Sequence, residues 1–323
     1  MTSTTIKVVA AAALALGMAQ AARAAWPDDK PIEVVVGFAP GGGTDLMARK
    51  LLPFVQKRLG PGAQFVVVNK PGAAGEIANA YVKNAKPDGY TLLVINVPGF
   101  LYVPMIKKAQ YEAQDFTLVS RVVDDPTVMV TRADHAVPTL PAVVAALRRK
   151  AGSLSFGHNG VGTNGDLALQ LLAKEAGVEL NAIPYKGTAA QKTDVMGGHL
   201  DFGIVSAGEV PELHGKGTGA MKVVAQFGAR RSPALPDVPT ATEAGTPVVM
   251  TSERGFAVHR GVPAPIVGRL DAAIAESVRD PEFVANASAD APVLAYLSGP
   301  QWQQSLAQNR KALMELARTL PRQ

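Results

Sequence analysis

Ile32-Glu33-Val34-Val35-Val36-Gly37-Phe38-Ala39-Pro40-Gly41-Gly42-Gly43-Thr44-Asp45 decides the fold class. A β-branched run meets a glycine-rich turn, and over residues 45–59 the apolar side chains Leu46, Leu51, Leu52, Val55 and Leu59 recur at helical spacing. A strand handed to a helix through a tight turn is the unit of an α/β sheet. The unit repeats: residues 65–68 read as a strand, 75–84 as a helix, and 91–95 as a strand after the turn Pro87-Asp88-Gly89. A doubly wound lobe with parallel strands is expected from this run.

A second series follows, with strands at 128–130, 154–157, 181–185, 200–205 and 222–225 and helices at 140–150, 165–176 and 188–196. Helical spacing returns in the tail at 265–277 and 301–318. No low-complexity linker separates the two series, so two doubly wound α/β lobes joined by crossing strands are expected. The crossings fall near 120–127 and 248–255. That places residues 25–124 and 250–323 in the first lobe and 125–249 in the second.

The N-terminal residues read as a signal peptide. Lys7 precedes an alanine-rich apolar run, residues 8–22, broken only by Gly17 and Gln20, and Ala22-Arg23-Ala24 gives a small-x-small cleavage pattern. The run is too short to span a bilayer and polar Trp26-Pro27-Asp28-Asp29-Lys30 follows it. A buried helix would instead carry polar residues every third or fourth position. Removal of residues 1–24 and a periplasmic location are expected. The chain has no cysteine, which excludes a disulfide framework and leaves stability to the hydrophobic core. Loss of Lys7 and Arg23 lowers the formal charge from +5 to +3, too mild and too evenly spread for nucleic acid but suited to anionic small solutes.

Three loops stand where a strand hands over to a helix, the end of an open sheet at which ligands bind. In the first, consecutive glycines let backbone N–H groups approach an anion, and the helix behind adds its unpaired amides and positive dipole end. Thr44 or Asp45 would be the N-cap. The loop lacks the glycine-lysine-serine/threonine ending of a triphosphate site; a plain tight turn accounts for it equally well. The second, Gly160-Val161-Gly162-Thr163-Asn164-Gly165, fits the dinucleotide fingerprint, but the following strand ends Pro184-Tyr185-Lys186 without the acid that holds ribose hydroxyls. Although Lys186 could meet a phosphate, a second anion-facing helix start is the better reading. The third, Ser206-Ala207-Gly208, lines the same cleft or is only a turn. The candidate ligand-binding residues are Phe38, Pro40, Gly41, Gly42, Gly43, Thr44, Asp45, Asn96, Asn159, Gly162, Thr163, Asn164, Gly165 and Ser206.

Catalytic candidates are thin. His135, His158, His199, His214 and His259 show no metal-ligand spacing, and no serine lies in a Gly-x-Ser-x-Gly elbow. His158, beside the second loop, reads as a hydrogen-bonding or surface residue. Asp45, Asp166 and Glu209 sit near helix starts, where capping explains them. A binding protein without catalysis, metal or cofactor is expected.

Taken in order, Trp26-Pro27 through Asp45, Asn69-Lys70-Pro71-Gly72-Ala73-Ala74-Gly75, Pro87-Asp88-Gly89-Tyr90-Thr91-Leu92, Pro184-Tyr185-Lys186-Gly187, Gly197-Gly198-His199-Leu200-Asp201 and Arg231-Ser232-Pro233-Ala234-Leu235-Pro236-Asp237-Val238-Pro239-Thr240 resemble the extracytoplasmic receptors of tripartite tricarboxylate transporters, the Bug family. The resemblance covers essentially the whole chain after the leader. It implies a type II periplasmic-binding fold, a monomer whose lobes close on a small carboxylate. It also implies delivery to membrane transporter subunits, or a report to a membrane sensor; an exported enzyme acting on a carboxylate is the remaining alternative. In such proteins residues matching Pro40 to Asp45 hold one ligand carboxylate and the loop matching Gly160 to Gly165 faces it. Many relatives have serine, glutamine and histidine where this chain has Asn164, Gly165 and Asp166, and an aspartate at Val205 with which some grip amines. The lack of that aspartate disfavours amine ligands and leaves dicarboxylates, citrate-like, aromatic and nicotinate-like acids.

Overall fold

The computed structural model describes residues 26–210, 214, 219–287 and 293–320; the expected leader lies outside them. In the first lobe β1 (Ile32–Val36), α1 (Gly43–Leu59), β2 (Phe65–Asn69), α2 (Glu76–Lys83), β3 (Thr91–Val97) and α3 (Gly99–Ile106) follow one another. β1 pairs in parallel with β2 on one side and β3 on the other. The chain then enters β4 (Phe116–Arg132), a 17-residue strand. The second lobe contains α4 (Leu140–Arg149), β5 (Ser155–His158), α5 (Asn164–Ala176), β6 (Asn181–Pro184), α6 (Thr188–Met196), β7 (Phe202–Ser206) and β8 (Met221–Gln226). The return is made by β9 (Thr251–His259), α7 (Ala264–Ser277), α8 (Pro281–Ala287), β10 (Leu294–Ser298) and α9 (Gly299–Thr319).

β4 belongs to both sheets. It pairs antiparallel with β9 from Phe116↔His259 to Pro126↔Thr251, and with β7 from Thr127↔Ser206 onward. The handover falls at Pro126, which has no N–H to give to either ladder. β9 lies between β3 and β4, antiparallel to each, and β10 adds to the early part of β4. In the second sheet β5 pairs in parallel with β6 and β7, while β8 lies antiparallel along β4. β1 to β3 and β5 to β7 pair in parallel as expected; β4 and β8, expected in the second parallel series, pair antiparallel, and with β9 they make both sheets mixed.

Each sheet is covered on both faces. Met47, Leu51 and Val55 of α1 pack with Leu270 and Ile274 of α7 on one face of the first sheet, and Phe54 meets Phe283 of α8 edge to face at 5.4 Å. The opposite face shares one apolar cluster with the second lobe, running from Phe100 and Trp302 to Phe156, Leu169 and Ile204. A third cluster, around Val130, Leu200 and Val205, fills the remaining face. α3, which helical spacing does not predict, is apolar nearly all round because it is buried on several sides. Among the described residues no helix is long and apolar enough to cross a membrane.

Candidate functional site

The first glycine loop is built around a carboxylate. Gly41 has φ +80°, a left-handed conformation that favours glycine, and its N–H donates to Asp45 Oδ2 at 3.0 Å. Asp45 also accepts from Arg49 Nε at 2.9 Å and Asn69 Nδ2 at 2.9 Å. Burial pushes its carboxyl up, yet the Arg49, Gly41 and Asn69 hydrogen bonds outweigh that and hold it below the ordinary aspartate value. This use corrects the expected cap: helix α1 begins at Gly43 behind Gly42, with no side chain capping it, because Asp45 is turned back onto the loop.

The second loop repeats the device. Gly162 has φ +84° and donates its N–H to Asp166 Oδ2 at 2.7 Å, four residues on as before. The charge environment differs. Asp166 has no arginine; it accepts from Gln170 Nε2 at 2.7 Å, and His158 Nδ1 lies 3.9 Å away. Both groups are deeply buried, and burial drives Asp166 up and His158 down, so that both neutral forms are favoured. His158 is therefore an interior residue, not a surface one.

Between the loops runs a buried polar seam. Asn96 Nδ2 donates to Thr44 Oγ1 at 3.3 Å, Asn164 Nδ2 to Thr127 Oγ1 at 2.9 Å, and Thr163 Oγ1 to Asn159 Oδ1 at 2.9 Å. Ser206 stands opposite Thr127 in the β4–β7 ladder and is buried. An ideal Cβ on Gly165 would lie 2.7 Å from Asn159 Oδ1, so a side chain there would push that amide aside. The lobes touch here: Ala39 N–H donates to Lys186 O at 3.2 Å, and a Cβ on Gly42 would meet Thr188 Oγ1 at 3.1 Å. Arg254 of β9, 1% exposed, pairs with Asp125 of β4, and Asp125 also accepts from Gly208 N–H at 3.0 Å.

Beside the seam lies a cavity of about 470 Å³ walled by both lobes. Of the expected residues only Phe38 and Asn159 line it. Gly41 to Asp45, Asn96, Gly162 to Gly165 and Ser206 are not among its walls, and neither is Pro40, which is exposed. The remaining walls include Gly72, Ala73, Ala74, Tyr102, Ile106, Tyr185 and Lys186, which the sequence reading did not select as carboxylate ligands. Ala73 and Ala74 hold φ of 48° and 55°, sparsely populated for residues with a Cβ. The signal for this wall was present in Pro71-Gly72-Ala73-Ala74-Gly75, a small-residue loop at the carboxyl end of β2. The lining is mostly apolar, with Lys107 and Lys186 supplying charge and Asn159 and Gln170 amides. Such a chamber can desolvate the body of a small solute and fix its polar end.

Comparison with known proteins fits this geometry. The family model described as "Tripartite tricarboxylate transporter family receptor" matches residues 47–315. Protein BugT of Bordetella pertussis is 32% identical over 260 residues, covering 79% of this chain and 78% of BugT. The solved structure of periplasmic binding protein BugD superposes with a TM-score of 0.82 at 29% identity, over 89% of this chain and 96% of that one. MatC from Rhodopseudomonas palustris, solved with bound malate, gives 0.82 at 25% identity over 90% and 100% of the two chains.

Proposed function

The chain belongs to the tripartite tricarboxylate transporter receptor family, a family of solute receptors, and from that premise we propose that it closes its lobes on a small carboxylate outside the cytoplasm and presents it, unaltered, to a membrane transporter. The observation that carries the reading is the cavity of about 470 Å³ walled by Phe38 and Gly72 to Ala74 from one side and by Asn159 to Val161 and Tyr185 from the other. A solute there touches both lobes at once and so favours the closed form, which is the differential affinity a population shift requires. Lys186 on the cavity wall supplies positive charge for an anion. The malate held by MatC supports the carboxylate class.

Several finer assignments belong to the same proposal. Residues 25–124 with 250–323 form one lobe and 125–249 the other; residues 1–24 direct export to the periplasm and are removed; the receptor works as a monomer. Of the fourteen residues expected from sequence, Phe38 and Asn159 wall the cavity, Pro40 stays exposed, and the rest belong to the seam that closes over the solute. The test is thermal unfolding of residues 25–323 against a panel of small carboxylates, amino acids and sugars, with recovery of the compound afterwards. A ligand at a hundred times its dissociation constant adds about 2.7 kcal/mol, so stabilisation confined to one carboxylate class, with the compound unchanged, is expected. Stabilisation by sugars alone, or recovery of an altered compound, overturns the reading.

A further inference from the structure

Among the described residues, the walls of the cavity between the lobes carry two charged side chains, Lys107 and Lys186, and no acid. Lys107 Nζ lies 2.5 Å from Oε2 of the buried Glu76, so that ammonium is already engaged. The Lys186 side chain is exposed and has no ion pair or hydrogen bond among the described residues. Both wall amides are engaged. Asn159 accepts from Thr163 Oγ1 at 2.9 Å and donates to Asn164 Oδ1 at 3.5 Å. Gln170 donates to Asp166 Oδ2 at 2.7 Å, and its Oε1 is buried. Rings make up much of the remaining wall. Phe38 stands just past β1, Tyr102 lies in α3 and Tyr185 follows β6, so both lobes contribute. Tyr185 donates its hydroxyl proton to Asp194 Oδ2 at 2.7 Å; burial and that carboxylate push the phenol up to about 12. Burial and the charge of Asp166 also raise Tyr102, so neither ring brings negative charge at neutral pH. Room is ample: a cavity of about 150 Å³ already holds benzene, and this one measures about 470 Å³.

We infer that the solute is an aromatic monocarboxylate, its one carboxylate met by Lys186 and its ring by Phe38, Tyr102 and Tyr185; the inference rests on the receptor reading above. A short diacid would set its second carboxylate against apolar wall, or against a lysine that Glu76 already holds. Burying a charge without a partner is strongly unfavourable. A planar ring gains instead, from the apolar area it removes from water and from ring-to-ring contact beyond that area. Glu76 thereby sets specificity without touching the solute: by holding Lys107 it withholds the second cation that a diacid needs.

The experiment titrates residues 25–323 calorimetrically, as wild type, Lys186→Gln and Glu76→Gln, with benzoate, cyclohexanecarboxylate, succinate and citrate. The two ring acids share one charge and the same number of carbons, and only benzoate is planar and aromatic. The wild type should bind benzoate on the order of tenfold more tightly than cyclohexanecarboxylate, succinate or citrate. Lys186→Gln, at an exposed position, should weaken benzoate binding on the order of tenfold. Glu76 also accepts from Gln110 N–H at 2.9 Å, and Glu76→Gln keeps an acceptor there while releasing Lys107. That variant should tighten succinate on the order of tenfold relative to benzoate, with thermal unfolding as the check that it folds. Succinate or citrate binding the wild type more tightly than benzoate, or equal binding of the two ring acids, overturns the inference and leaves the receptor reading standing. An unchanged ratio of succinate to benzoate in folded Glu76→Gln overturns the part given to Glu76. If none of the four acids binds while a sugar does, the carboxylate reading and the inference fall together.

Discussion

Replacing Asp45 by asparagine keeps the volume of the side chain and removes the charge that accepts from Gly41 N–H, Arg49 and Asn69. Hydrogen bonds to a charged group contribute about 1.5–3 kcal/mol each way of counting, so Asp45→Asn should lose about 2 kcal/mol at pH 7. Because the folded-state carboxyl is held below its ordinary value of 3.8, its contribution is complete above that pH and fades as pH falls through the folded value. The two unfolding curves should therefore converge below about pH 4; a difference that stays constant into acid would assign the loss to shape. Asp166→Asn makes the complementary case. Burial already favours the neutral form of Asp166, so this variant should lose less at pH 7 than Asp45→Asn does, measured by thermal unfolding side by side. At this scale the sequence told where the loops are, since glycines and a following acid at strand ends are visible. It did not tell that each acid braces the loop four residues back, because Asp45 and Asp166 fit a capping rule equally well. Nor did it reveal that Glu209 reaches a loop 166 positions away in a different lobe, for no local pattern encodes a contact made by closure.

β4 and β9 carry the connection between the lobes, and Gly255 of β9 packs tightly against β4. A Cβ there would lie 2.1 Å from Ser120 O and 2.8 Å from the buried ring of Trp302. Backbone cannot step aside as a flexible side chain can, so Gly255→Ala should destabilise by about 3 kcal/mol, read from denaturant midpoints. The same two strands hold the buried pair Asp125–Arg254. Asp125→Asn leaves a guanidinium short of its counter-charge in the interior and should cost about 3–5 kcal/mol. The strands were legible as β-branched apolar runs, because sheets covered on both faces bury both sides of a strand, and the helices because each buries one face. α3, α8 and β10 were not. α3 is apolar on nearly every side, α8 has only seven residues, and β10 is a half-buried strand of five, so none carries a clean period. β4 was read as a short strand after a crossing, whereas it is one strand of 17 residues serving two ladders.

The lobes meet through a hydrogen bond from Ala39 N–H to Lys186 O, and two residues on, Gly41 N–H is held by Asp45 within its own loop. Opening of the molecule breaks the first bond and spares the second. Hydrogen exchange at Ala39 should slow on addition of a stabilising carboxylate while Gly41 stays unchanged; equal slowing at both would report a stiffer loop instead of a closed cleft. Tryptophan emission is a poor substitute, since Trp302 is packed in the first lobe against Glu253 and Trp26 is bonded to Gly89 O in that same lobe. The placing of β9 between β3 and β4 also dictates an order of assembly. The strands of the second sheet all lie within residues 116–226, so a chain delivered from its N-terminus can complete that sheet early. β3 and β4 have no ladder between them until residues 251–259 arrive. The part of the chain made first is thus the part finished last: β1 can pair with β2 and β3 at once, but the other edge of β3 stays bare while most of the polypeptide goes by. Pulsed exchange during refolding should find β5 and β7 protected no later than β1 and β3, and a chain truncated before Thr251 should keep the second sheet and lose the first.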